Sequence, residues 1–409
     1  MKENVLLNLP DLNKISRPNW IEINLDALCE NIRFIRSQIP SHTKILLPVK
    51  ADAYGHGSLA CSFAAKESGV DFLGVAHLTE GILLRQYGID LPILVLGPCT
   101  PADFAYFVEF KLTATLTDLK TALAFDSFLR ENNVTAKAHL KIDTGMNRYG
   151  VQAEDFDSIK QIMELKFLQV EGMFTHLATA DIPNHTNTQN QINRYTRLVH
   201  VLESENLRPE ICHCSSSAGT LQYPETHFDM VRPGLALYGY NPMGAFPSSF
   251  PIHPIMKIKA TIRHIHEMQP GEAVSYGGYW VAQQQTKVAT IAMGYGDGFL
   301  RGEYNKGFVL IRGELCPILG RVCMDAAMVD VSHIQDVQIG ETVDVVNGEA
   351  DFRISMESVA EEHHTIPYEI TVRVARRLYR KYIWKNRMLR WDDLKKELNV
   401  PEFREYPYR

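Results

Sequence analysis

The chain lacks any apolar run of about 18 residues, the length a helix needs to cross a bilayer. Its opening stretch, MKENVLLNLPDLNK, has no long apolar core of the secretory kind. It also lacks a charge excess: the net charge is −6, with both signs mixed along the chain. No basic footprint for nucleic acid or an anionic membrane is therefore expected. Internal repeats and low-complexity blocks are missing too. The seven cysteines (Cys29, Cys61, Cys99, Cys212, Cys214, Cys316 and Cys323) are scattered, which fits free thiols in a reducing cytoplasm. Cys212-His213-Cys214 has no second pair at matching spacing, so a packed strand face is expected there rather than a metal site.

What is present is a rhythm. Short apolar runs recur at KILLPVK (44–50), FLGVAH (72–77), PILVLG (92–97), TATLT (113–117), AHLKID (138–143), VEGMFTH (170–176), EICHCSS (210–216) and MVRPGLALYG (230–239). Amphipathic segments of helical length lie between them, such as DLKTALAFDSFLRENN and QINRYTRLVHVLESENL. Strands alternating with helices predict a parallel (β/α)8 barrel over residues 17–242, after a loose arm at 1–16. NPMGAFPSSFPIHP then breaks the pattern, as a linker should. Residues 243–385 alternate apolar and polar positions between glycine turns, predicting a mostly β domain, and 386–409 form a tail.

In such a barrel, chemistry sits at the carboxyl ends of the strands. Lys50 and Tyr54 follow the first apolar run. Lys141 and Arg148 flank the end of the fifth, His176 ends the sixth, and Ser216 and Ser217 end the seventh. Arg232 and Gly234 fall on the eighth. A lysine ending an apolar strand is usually solvated. With cations and hydroxyls converging on one rim, it instead suggests an anion pocket holding a nucleophilic amine. Gly234 suits a phosphate site built from backbone N–H groups. Two chemistries then compete: a Schiff-base aldolase in which Lys50 attacks the substrate, and an enzyme in which Lys50 carries pyridoxal 5'-phosphate.

The segment VKADAYGHG resembles the cofactor-lysine signature of the alanine racemases, a pyridoxal-phosphate family with a barrel and a C-terminal β domain. HLKIDTGMNRYG, EGMFTHLATAD, HCSSSA, VRPGLALYG, VSYG, GYGDG, GRVCMD and TIPYE agree in order, covering the chain from about Trp20 to about Tyr379. The resemblance implies interconversion of L- and D-alanine, supplying D-alanine for peptidoglycan, by a homodimer with shared active sites. Lys50 would carry the cofactor and act as the base for D-alanine. Tyr276, from the partner subunit, would be the opposing base for L-alanine. Tyr54, Ser217, Tyr368 and the backbone of Gly234 and Leu235 would hold the phosphate. Arg232 would face the pyridine nitrogen, and His176 would join a hydrogen-bonded chain with Arg232 and the tyrosine. Arg148 would bind the substrate carboxylate, steered by a carbamylated Lys141. Met324 of the partner subunit would add a backbone N–H, while Tyr295 and Tyr368 would narrow the entrance. Ser216, Cys323 and Asp325 would stand behind these groups.

Ser216 replaces the family's usual asparagine and GYGDG its commoner GYADG. Ser216 bears on cofactor affinity and on strict alanine preference, so a serine or broad-specificity racemase stays open. A non-catalytic pyridoxal-phosphate carrier is a further alternative, as is a decarboxylase on the same architecture. Tyr276 and Met324 speak against a carrier, which needs neither, and Tyr276 speaks against the decarboxylase.

Overall fold

The computed structural model describes residues 18–243, 250–302 and 306–400; the arm at 1–16 and part of the linker lie outside them. The described chain divides into two compact units. One holds residues 23–243, 250–255, 366–372 and 382–400, the other residues 18–22, 256–302, 306–365 and 373–381. The short stretch 366–372 thus belongs with the barrel, although it follows the β-rich region in sequence.

In the first unit, eight parallel strands among the described residues form the ring that the apolar rhythm predicts. They are Lys44–Pro48, Phe72–Val75, Ile93–Pro98, Thr113–Leu116, Ala136–Asp143, Leu168–Phe174, Ile211–His213 and Met230–Val231. The last pairs with the first, Met230 opposite Lys44 and Val231 opposite Ile45. The seam beside it is bridged by Asp229 N–H to Cys212 O (3.0 Å) and Arg232 N–H to Ser215 O (2.9 Å). Leu46, Phe72, Leu94, Ile211 and Met230, from five strands, fill the interior. Burying each such side chain contributes about 1.5–3 kcal/mol.

The surrounding helices follow their sequence signals. Asn24 accepts the Ala27 N–H and starts helix Leu25–Gln38, whose buried residues include Leu25, Leu28, Ile32 and Ile35, one stripe at helical spacing. Aspartates tie strand starts to arginines beside them. Asp71 accepts from Ile45 N–H (2.7 Å) and Arg36 (2.8 Å), and Asp229 accepts from Cys212 N–H (2.8 Å) and Arg208 (2.7 Å). In the tail, Lys385 and Asn386 donate their N–H groups to Asp26, both at 2.8 Å.

The eighth strand is shorter than predicted. MVRPGLALYG forms strand only at Met230–Val231. Pro233 has no N–H to extend the ladder. Beyond it Leu237 N–H bonds Gly234 O (3.0 Å) and Tyr238 N–H bonds Leu235 O (3.1 Å), so the chain coils into turns. Arg232 and Gly234 therefore follow the strand rather than lying on it.

The second unit is more than a set of strands. Met256–Met268, Thr286–Ile291, Ala327–Asp330, Glu314–Leu319, Phe308–Ile311 and Thr342–Val346 close into an antiparallel ring. Met256–Met268 makes the closure: Ile258–Thr261 pairs with Thr342–Val346, while Ile262–Met268 pairs with Thr286–Ile291. Its first half alternates buried and half-buried residues, as one core-facing side requires. Closure leaves no free sheet edge within this ring.

Candidate active site

The first barrel strand stops at Pro48, and Lys50 opens a turn of unusual hand. Ala51, Asp52, Ala53 and Tyr54 have φ of 51°, 54°, 54° and 53°. L-residues in this region cost about 1–2 kcal/mol each, and such consecutive runs are rare. The turn persists because its backbone is tied on every side. Ala53 N–H bonds Val49 O (2.8 Å), Gly55 N–H bonds Ala51 O (2.9 Å) and Gly57 N–H bonds Asp52 O (2.9 Å). The Asp52 carboxylate accepts from Ser58 N–H (2.8 Å), and the Glu80 carboxylate accepts from Ala51 N–H (2.7 Å). Gly55, at φ 85°, completes the turn; a Cβ there would lie 2.1 Å from Thr371 O. That close approach brings helix Pro367–Arg373 onto the turn and sets Tyr368 against Tyr54, ring centres 5.4 Å apart.

The turn aims Lys50 into a cavity of about 630 Å³ at the carboxyl end of the barrel. Tyr54, Arg148, His176, Ser216, Ser217, Arg232, Gly234 and Tyr368 line it as well, from separate parts of the sequence. Gly234 has to lack a side chain, since a Cβ would sit 2.9 Å from the Tyr54 hydroxyl. Buried Leu235 gives a backbone hydrogen bond to Tyr368, and Ala236 N–H donates to Ser217 Oγ (3.1 Å). Arg148 stacks on Tyr149 (4.9 Å), whose hydroxyl donates to Leu96 O (3.2 Å).

Charge is concentrated here. Burial, reinforced by Arg148 and Arg232, lowers the pKa of Lys50, and Glu80 opposes this. Lys141 stands behind the wall, only 2 % exposed, 5.2 Å from the Phe174 ring centre and donating to Ile142 O (2.9 Å). Burial, with Arg232 and Arg148, brings its pKa down to about 7. His176 is held well below its usual range by burial and then by Arg232, so its ring is neutral. Burial pushes the Tyr368 hydroxyl up to about 12 and the Tyr54 hydroxyl above its ordinary range, so both stay protonated as donors.

Arg232 anchors a chain that sequence reasoning missed. Its guanidinium donates to His213 Nδ1 (2.7 Å), Thr175 O (2.8 Å), Cys214 O (3.0 Å) and His176 Nδ1 (3.4 Å). His213 Nε2 meets His139 Nδ1 at 2.8 Å, and His139 Nε2 lies 3.7 Å from the Glu171 carboxylate. Gly172 makes room: a Cβ would fall 2.5 Å from the His139 ring. The available signal was two polar rings, His139 and His213, inside runs otherwise reading as buried strand. Glu80 was missed as well; its signal was a glutamate in the first turn of a helix that follows a strand.

The remaining candidates gather in the second unit. Tyr276 sits in a hairpin between strands Ala273–Val274 and Trp280–Val281, after Ser275 at φ 65° and before Gly277 at φ 82°. Ser275 Oγ donates to Arg321 O (2.6 Å) and lies 3.5 Å from Cys323 Sγ. Tyr295 N–H bonds Cys323 O (3.0 Å), and Gly296 N–H bonds Met324 O (2.8 Å). Arg377 ties Asp325 (2.7 Å) to Asp297 (2.8 Å). Tyr276, Met324 and Tyr295 are 66 %, 53 % and 39 % exposed, unusual for large apolar side chains held by so ordered a backbone.

Among the described residues, no group of three or more His, Cys, Asp or Glu side chains could hold a metal ion. None of the described helices is long and apolar enough to cross a membrane.

Comparison with known proteins gives a consistent result. The family model for the alanine racemase N-terminal domain matches residues 23–242, and that for the alanine racemase C-terminal domain matches residues 255–382. A protein of Desulfovibrio desulfuricans named alanine racemase is 38% identical over 368 residues, 90% of this chain and 98% of that one. The solved alanine racemase of Clostridium difficile 630 superposes with a TM-score of 0.85 at 36% identity, covering 92% of this chain and 98% of its own. The alanine racemase of Bartonella henselae, solved with covalently bound pyridoxal phosphate, gives a TM-score of 0.81 at 25% identity, covering 90% of this chain and 100% of its own.

Proposed function

The chain belongs to the alanine racemase family, and we propose that it interconverts L- and D-alanine in the cytoplasm, with pyridoxal 5'-phosphate carried on Lys50. The D-alanine would serve peptidoglycan synthesis. The observation that carries the reading is a half-buried lysine with lowered pKa, aimed by a left-handed turn into a cavity lined by two arginines.

The residues fit the cofactor. Its phosphate needs donors and close backbone approach, which Tyr54, Tyr368, Ser217 and the Cβ-free Gly234 offer together. Bound, the cofactor supplies the electron sink that makes the α-proton of an amino acid removable. Lys50 then acts on one face of the α-carbon, and burial favours the neutral amine that such a base requires. Tyr276 of the partner subunit would act on the opposite face. To act as a base its oxygen needs a donor, and the neutral His176 ring, whose Nδ1 accepts from Arg232, has its Nε2–H left to give. Arg148 would hold the substrate carboxylate through two parallel N–H bonds. Arg232, lowered by burial to about 10, stays charged at neutral pH; it would face the cofactor's ring nitrogen as a donor that does not readily surrender a proton.

Lys141, with a pKa near 7, presents an uncharged fraction able to add CO₂ through Nζ with release of one proton. The resulting carbamate would steer Arg148. Tyr276, Tyr295, Met324, Cys323 and Asp325 form the patch that would complete the partner's cavity in a homodimer.

The test is the cofactor-loaded protein with L-alanine as sole substrate, followed by enantiomer-resolved detection. D-alanine should form until both enantiomers are equal, and serine should be turned over less well. A loaded protein that leaves L-alanine optically unchanged overturns the reading.

A further inference from the structure

Glu80 is the third residue of helix Leu78–Gln86, a place where glutamate commonly caps the helix start. One of its oxygens does that local work, accepting from Ala76 N–H (2.7 Å) and His77 N–H (3.1 Å). The other reaches a different strand exit and accepts from Ala51 N–H at 2.7 Å. Ala51 directly follows Lys50 and is the first of the four left-handed residues. Helix capping explains the bonds to Ala76 and His77; it does not explain the bond to Ala51.

We infer that Glu80 is the positioning residue of Lys50: one carboxylate ties the exits of the first two barrel strands together and holds the left-handed turn that aims the lysine. The turn's own bonds leave a place for it. Ala53 N–H and Gly55 N–H are taken by Val49 O and Ala51 O, whereas Ala51 N–H goes to the Glu80 side chain. A bond to a charged acceptor is stronger than a neutral one and offsets part of the cost of the left-handed run. The same negative charge opposes the loss of the Lys50 proton, so Glu80 acts on both the place and the charge of the amine.

The role of Lys50 as the base for D-alanine rests on the proposed function, so two readouts are needed. The first uses the cofactor-free protein. In Glu80→Ala, amide exchange over residues 50–57 should quicken by about tenfold or more while exchange over 138–143 is unchanged. The second uses the loaded enzyme in deuterated water. Washout of the α-proton should slow by about tenfold to a hundredfold for D-alanine, the effect expected of a displaced reacting group, and by less than about threefold for L-alanine. Glu80→Gln keeps the size and one acceptor oxygen, and should fall between Glu80→Ala and the natural protein in both.

Unchanged exchange at 50–57, or equal slowing of both washouts, overturns the inference. Exchange rising evenly across the barrel would reduce Glu80 to a stability residue and overturns it too. If the natural protein racemises nothing, the proposed function fails, and the exchange experiment still decides the role of Glu80.

Discussion

The two units carry their candidate residues in opposite ways. In the barrel, Lys50, Lys141, His176 and Arg232 are buried or half-buried, Lys50 beside the left-handed turn and Arg232 bonded to His176, with pKa values moved by burial and by neighbouring cations. In the second unit, Tyr276, Tyr295 and Met324 stand out from an ordered backbone into the open. The difference teaches where each part of the chemistry comes from. The barrel supplies a preorganised pocket that disfavours cations, which the amine needs if it is to carry the proposed cofactor. The second unit supplies side chains whose surroundings are unfinished within one chain. Burial is complete on one side and lacking on the other, as expected if each patch finds its environment against another copy.

The sharpest way to break this contrast is Lys50→Ala. It removes the amine proposed to carry the cofactor, so covalent cofactor attachment, followed by absorbance, and racemisation should both vanish. Retained turnover would contradict the role of the barrel. Tyr276→Ala comes next. If the tyrosine is one of two acid–base groups, its loss should lower racemisation by about 10²–10⁴, with α-proton washout from L-alanine hit harder than from D-alanine. Equal losses for the two enantiomers would mean that the exposed tyrosine is not the second base.

Gly55→Ala tests the strained side. The new methyl group meets the Thr371 carbonyl and sits at φ 85°. Stability should fall by about 2 kcal/mol or more, read as a lower midpoint in denaturant. A midpoint within error of the natural protein would show that the turn relaxes freely.

The smallest effect concerns acid. His139, His176 and His213 all have pKa values lowered in the folded state, first by burial. Below about pH 6.5 the unfolded chain takes up protons that the folded chain refuses. Stability should therefore be full above that pH and decline as the pH falls further. His213→Asn should flatten part of the decline in a pH series of unfolding midpoints. An unaltered slope would place the acid sensitivity elsewhere.

Much of this was legible in the residues. The eight apolar runs mark the eight barrel strands, because strand length and flanking turns leave little choice. The shared motifs led to the cavity residues, since VKADAYGHG and VRPGLALYG carry long, ordered patterns. Other features resisted for physical reasons. The left-handed run at 51–54 contradicts the local preference of alanine and aspartate, and its own short-range bonds are joined by one from Glu80 on another strand exit, which no local pattern announces. Glu80 reads as an ordinary helix cap until its second oxygen is located. His139 and His213 hide in strands because a polar ring inside a barrel is tolerated only when its partners are present. The eighth strand ends early at Pro233, a stop that the apolar pattern of LALYG masks.

In the proposed reaction the half-buried amine and the exposed tyrosine act together across two chains. Mixing Lys50→Ala with Tyr276→Ala under conditions of subunit exchange tests it most directly. Each variant alone should be inactive or nearly so. In an equal mixture half the dimers are hybrids, each holding one intact site, so activity should return to about a quarter of the natural level. A mixture that exchanges subunits and stays as inactive as its parts would contradict the claim.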